Sequence, residues 1–238
     1  MKLSNKKIKD KIMRIGYGTK ASHIASAMSC VDVLCDTYNA FPNAIVIVSK
    51  GHGVLAQYVI LNELGKMPTK VLKTYYQDGG LSIHSTVMKK YGVYASTGSL
   101  GHGLAIGVGY AIANPKEMVF VLLSDGELDE GQTIEAMKII NRLKIKNIVV
   151  LVDWNDLSAV EGINKEEWMQ FSYRPYYSIK GHGWGKLENK VASHYAIINK
   201  EILSEWKKNS QRIEDERLKR IEDGKKLLKS LKRKKNVR

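Results

Sequence analysis

Apolar positions in this chain come in short unbroken runs separated by polar, glycine-bearing turns, the pattern of an interior sheet wrapped by helices. The runs 45–48 (IVIV), 119–123 (VFVLL) and 148–152 (IVVLV) show no alternation, so each reads as a strand buried on both faces, as parallel strands are. Helical patterns lie between them. Ile8, Ile12 and Ile15 recur at helical spacing over 5–15, and Gly16-Tyr17-Gly18 is expected to end that helix. A second helix is predicted over 26–38, with Met28, Val31, Val33, Leu34 and Cys35 inward. The turn 49–53 (SKGHG) opens a third, running through Leu61, and 70–76 is a further candidate. Residues 78–104 are rich in Gly, Ser, Thr and His without periodicity, which predicts a long loop of the kind that usually serves function. Small residues mixed with Leu, Ile and Val over 101–113 predict a closely packed, buried helix. The stretch 156–175 reads as irregular, 176–179 as a strand and 180–183 as a turn. The stretch 119–157 is thus a βαβ unit with a polar group at the carboxyl end of each strand, the edge where open α/β sheets hold ligands. The expected fold is α/β, an open, mostly parallel sheet with helices on both faces, shortened after residue 155.

From about residue 200 the pattern changes. Ile202, Trp206, Ile213, Leu218, Ile221, Leu227, Leu228 and Leu231 lie among many charges, as in a long amphipathic helix, with Gly224 its weak point. This divides the 238 residues into a domain over 1–199 and a charged helical tail over 200–238. The tail has 15 Lys/Arg against 7 Asp/Glu, so it supplies most of the net charge of +14. A nucleic-acid partner would use such a run, but the interleaved apolar residues point instead to packing on protein. No apolar stretch is long enough to span a membrane, and the start lacks a signal-peptide core, so a cytoplasmic location is expected. Cys30 and Cys35 match no metal spacing and read as small buried residues.

Two features carry chemistry. Asp125 and Asn155 end successive strands, so a carboxylate, an amide oxygen and a nearby backbone carbonyl converge as a hard oxygen set suited to Mg²⁺. The amides of Gly126 and Glu127, near a helix start, could receive a diphosphate. Taken singly, Asp125 reads as a helix cap, and Glu127, Asp129 and Glu130 as ordinary first-turn acids. The two strand ends together favour the metal. The six histidines, His23, His52, His84, His102, His182 and His194, all fall in Gly- or Ser-flanked turns. Such a set suits proton transfer and hydroxyl binding. It does not suit zinc, since no pair is spaced i, i+4 on a helix and no thiolate set accompanies it.

The order SHIASAMS (22–29), SKGH (49–52), His84, TGSLGHGLA (97–105), SDGELDEG (124–131), DWNDL (153–157) and IKGHG…EN…H (179–194) resembles the diphosphate-binding half of transketolase, over roughly 5–205. The resemblance implies thiamine diphosphate and Mg²⁺ as cofactors. It implies Mg²⁺ ligands at Asp125, Asn155 and the carbonyl of Leu157, and a diphosphate along Gly126 and Glu127. Gly98, Ser99 and Leu100 match the loop that touches the aminopyrimidine ring, and His52 and His194 match histidines near the diphosphate and reaction centre. His23 and His84 match channel histidines for the sugar's hydroxyls and carbonyl, and Glu130 an acid linking two active sites. The sequence departs from the family at Ser124, at Ala25 and Ser26, at His102 and in the short segment 156–175. It also holds no pyrimidine-binding domain after His194. The resemblance therefore implies one subunit of a split enzyme, in an α2β2 assembly whose partner brings the acid that activates the cofactor. The implied activity is transfer of a two-carbon ketol unit from a ketose phosphate to an aldose. Another split thiamine-diphosphate carboligase acting on an unusual sugar, or a non-catalytic scaffold of this fold, remain as alternatives.

Overall fold

The computed structural model describes residues 2–157, 168 and 170–235, with side chains as far as residue 222. Four parallel strands, β1 (Ile45–Val48), β2 (Val119–Ser124), β3 (Ile148–Trp154) and β4 (Arg174–Tyr177), stand side by side in sequence order. Val46 lies opposite Phe120, Phe120 opposite Val149, and Val152 opposite Pro175. Helices α1 (Asn5–Thr19), α2 (Ile24–Ala40) and α3 (Val54–Glu63) cover one face. The short α4 (Thr69–Leu72) follows, and α5 (His102–Ala113) and α6 (Gly131–Leu143) cover the other face. Alternate strand residues feed the two cores: Val46, Val48, Phe120 and Leu122 face the first, Ile45, Ile47, Val121 and Leu123 the second. The unbroken apolar runs have this cause, since every position of β1 and β2 is buried.

Several elements differ from the sequence expectation. Helix α1 runs past Gly16 and Gly18 to Thr19, and ends at Lys20, whose φ is +58° and whose N–H donates to Gly16 O. Gly16 is a packing glycine rather than a stop, because a Cβ there would stand 2.7 Å from Ile24 Cγ1. Helix α5 is buried on one face only, through Gly103, Leu104, Gly107, Val108 and Ala111, while Ile112 is 54% exposed. Helix α4 is a single turn that starts one residue before the stretch expected to be helical over 70–76 and ends at Leu72. Strand β4 begins two residues earlier than expected. Much of the expected irregular segment 156–175 lies outside the described residues.

A helix α7 (Lys200–Lys235) follows and continues through Gly224. Its first turns are part of the core, with Ile202, Trp206 and Ile213 buried beside Trp184. Trp206 Nε1 also donates to Asp10 Oδ1 of α1 at 2.9 Å. The side chains of Leu227, Leu228 and Leu231 lie outside the described residues. Among the described residues no helix is long and apolar enough to cross a membrane, and Cys30 and Cys35 are buried free thiols.

Candidate functional site

The carboxyl ends of all four strands open on one cleft of about 200 Å³. Lys50 and His52 enter it after β1, Ser124, Asp125, Gly126 and Glu130 after β2, Asn155 and Leu157 after β3, and Lys180 after β4. Leu100, Val191, His194 and Tyr195 complete the lining. Parallel strands point the same way, so the polar residue following each is delivered to one edge.

Asp125 is 2% exposed and held by backbone on both oxygens: Gly126 N–H donates to Oδ1 at 3.0 Å and Asn155 N–H to Oδ2 at 2.7 Å. The ends of β2 and β3 are thereby locked together. Asn155 Oδ1, beside it, is buried with no hydrogen-bond partner among the described residues. A buried amide oxygen without a donor is costly, and a hard cation between it and Asp125 would satisfy it. The carboxylate, the orphaned amide oxygen and Leu157 on the same lining fit a Mg²⁺-diphosphate group chemically.

Glu127 departs from an ordinary first-turn acid. It is fully buried and turned from the cleft, accepting from Ser124 N–H at 2.9 Å, Gly101 N–H at 3.1 Å and the Ser49 hydroxyl. Burial pushes its pKa up, against those three donors. Its side chain stitches the ends of β1 and β2 to the glycine loop, leaving its backbone at the turn after β2. Glu130 lines the cleft and covers Gly101, where an added Cβ would come within 2.8 Å of Glu130 Cβ.

Four of the six histidines converge. The His23 ring lies 5.3 Å from His52, 5.8 Å from His84 and 4.8 Å from His194, and His52 is 5.1 Å from His194. They arrive from the α2 N-cap, the turn after β1, the long loop and the turn before α7. His23 adopts φ +61°, and its N–H donates to His194 O at 3.2 Å, which ties two of those segments together. Gly98, in the long loop, backs His84, and a Cβ there would stand 3.1 Å from the ring. Desolvation, then His84 and Lys180, lowers His23 to about 4. Desolvation, then Lys180 and His23, lowers His194 to about 3. His52 moves further down for the same chief reason, followed by Lys50. These three are neutral imidazoles at pH 7, each able to donate from one nitrogen and accept at the other. His102 and His182 stand apart. His102 is exposed near Ser99, with 3.5 Å between His102 Nε2 and Ser99 Oγ, and His182 lies 4.0 Å from Glu188.

Three charged residues to which the sequence reading assigned no role complete the floor. Lys50 is 1% exposed and Asp153 0%, with Nζ 2.6 Å from Oδ2. The Ser29 and Ser178 hydroxyls also donate to Asp153. Burial works against the Lys50 charge, but Asp153 outweighs it and the net shift is upward. Lys180 lines the cleft with no ion-pair partner among the described residues. Desolvation and then Lys50 lower it to about 8. An aspartate ending an otherwise apolar buried strand was the available signal, because such a charge requires a partner.

Comparison with known proteins agrees with this architecture. Residues 37–214 match the family described as "Transketolase, thiamine diphosphate binding domain". One apulose-4-phosphate transketolase subunit, from Phocaeicola vulgatus, is 33% identical over 204 residues, covering 79% of this chain and 71% of that protein. A 6-deoxy-6-sulfo-D-fructose transketolase subunit of a Clostridium species is 27% identical over 207 residues, covering 76% and 73%. Against the transketolase of Staphylococcus aureus the identity is 32% over 173 residues, but this chain spans only 26% of that protein. The solved transketolase from Leishmania mexicana superposes with a TM-score of 0.76 at 19% identity, covering 89% of this chain and 42% of the other. The chain belongs to the transketolase family, as a member of its thiamine diphosphate binding domain.

Proposed function

We propose that this chain is the diphosphate-binding subunit of a two-chain, thiamine-diphosphate- and Mg²⁺-dependent transketolase. It would transfer a two-carbon ketol unit from a ketose phosphate to an aldose acceptor. The orphaned Asn155 Oδ1 beside Asp125 carries this reading, since a divalent cation would satisfy both. Asp125, Asn155 and the Leu157 carbonyl would hold the metal. The Glu127 amide at the turn after β2 and the ammonium of Lys180 would face the diphosphate oxygens, and the Gly126 amide would join them on leaving Asp125 Oδ1. When bound, thiamine diphosphate supplies the electron sink that makes cleavage of a ketose beside its carbonyl feasible.

The chain's own part is to bind, orient and move protons. Neutral His23, His52 and His194, with His84 beside them, can take a proton from a sugar hydroxyl on one nitrogen while donating from the other. The Lys50–Asp153 pair keeps a fixed cation in the floor without exposing it to solvent. The names of two similar proteins as transketolase subunits support a second chain. We read that chain as the source of the cofactor-activating acid and the assembly as cytoplasmic and α2β2, with Glu130 linking active sites.

Calorimetric titration of thiamine diphosphate and Mg²⁺ into the chain, alone and co-expressed with its partner, tests the reading. Tight binding is expected in the complex, and Asp125→Ala should weaken it by about 100-fold. Wild-type affinity in that variant would overturn the metal assignment.

A further inference from the structure

The histidines do not all face the cleft. His52 and His194 line it, whereas His23, in ring contact with both, and His84, in contact with His23, are not among the lining residues, so the four imidazoles form a path of ring contacts that starts at the cleft wall. Tyr195 stands beside that path. It lines the cleft, yet its ring is held against two members of the path, 4.6 Å from His194 at 70° and 5.2 Å from His23 at 61°. Edge-on contacts of this kind fix an aromatic ring. The same side chain is 69% exposed, and its neighbour Val191 is 64% exposed. A large exposed ring therefore stands where the cleft lining meets the imidazoles.

We propose that Tyr195 is a specificity-determining residue, setting the width of the path along His194 and His23 so that a slender hydroxylated carbon chain passes and a bulkier one is slowed. The inference rests on the functional reading above for the identity of that chain, a sugar phosphate, but not for the geometry of the path. The ring does the narrowing, and the phenol oxygen is secondary.

Diethyl pyrocarbonate, which acylates neutral imidazoles, probes the path on the full chain without cofactor or activity. Peptide mass spectrometry would follow labelling of His23 and His194, with exposed His102 as internal reference. Tyr195→Gly is expected to label His23 and His194 several-fold faster at an unchanged His102 rate, and Tyr195→Phe to label as wild type. Equal rates in wild type and Tyr195→Gly, or acceleration in Tyr195→Phe as well, overturn the proposal. In the co-expressed complex, Tyr195→Gly should raise kcat/KM for a five-carbon aldose phosphate by about tenfold relative to a three-carbon one. An unchanged ratio overturns the proposal. Because labelling is read on the cofactor-free chain, a wild-type complex without transfer activity would count against the functional reading alone.

Discussion

At the scale of single residues, Asp153 governs the floor of the cleft. It fixes Lys50 directly and takes hydroxyl bonds from α2 and from the segment after β4. Removing one partner of a buried pair leaves an uncompensated charge, at a cost of roughly 3–5 kcal/mol. Asp153→Asn should therefore lower unfolding stability by that order in a urea titration. The double variant Lys50→Met/Asp153→Leu should recover most of the loss, because an apolar pair needs no compensation. The histidines give a pH signature of defined sign. His23 and His194 have folded pKa values of about 4 and about 3, below the ordinary 6.5, so the unfolded chain binds protons first. Their contribution to stability is fully present above pH 6.5 and is lost as the pH falls from there towards 4 and 3. Melting temperatures taken across pH 7 to 4 should fall steadily, and the slope should flatten in His23→Gln/His194→Gln.

At the scale of elements, glycines show why boundaries escape pattern reading. Gly16 and Gly18 look alike in sequence and both lie inside α1, yet a Cβ on Gly16 would press on Ile24, while nothing among the described residues outside the local helix backbone comes within 4 Å of one on Gly18. Gly16→Ala should cost about 1–3 kcal/mol by overpacking. Gly18→Ala should stabilise the helix by about 0.5–1 kcal/mol. Thermal unfolding of the two variants separates these signs. Edge strand β4 shows a similar economy. Ser178 N–H donates to Trp154 O, so by alternation Pro175 and Tyr177 face the open edge, and Pro175 brings no N–H to it. Among the described residues, β4 is an outermost strand and is thus partly blunted against pairing with another sheet.

At the scale of the whole molecule, a parallel sheet sends four polar turns to one edge, and the tail helix completes the core on which that sheet rests. Buried Ile202, Trp206 and Ile213 join α7 to the first core, and a Cβ on Gly183 would meet Ile213 and Trp206 at 2.7 and 3.2 Å. The turn that carries Lys180 into the cleft is therefore packed directly against the start of α7. The sequence by itself determined the three buried parallel strands, the helices between them and the pairing of Asp125 with Asn155, because local periodicity and the residue ending each run are written along the chain. The ring contacts among the four histidines that the resemblance had already grouped, the Lys50–Asp153 pair, the inward turn of Glu127 and the place of Tyr195 were decided only by tertiary structure. Each joins side chains far apart in sequence, and their burial, which sets both their partners and their charge, exists only once the sheet and its two helical layers have closed.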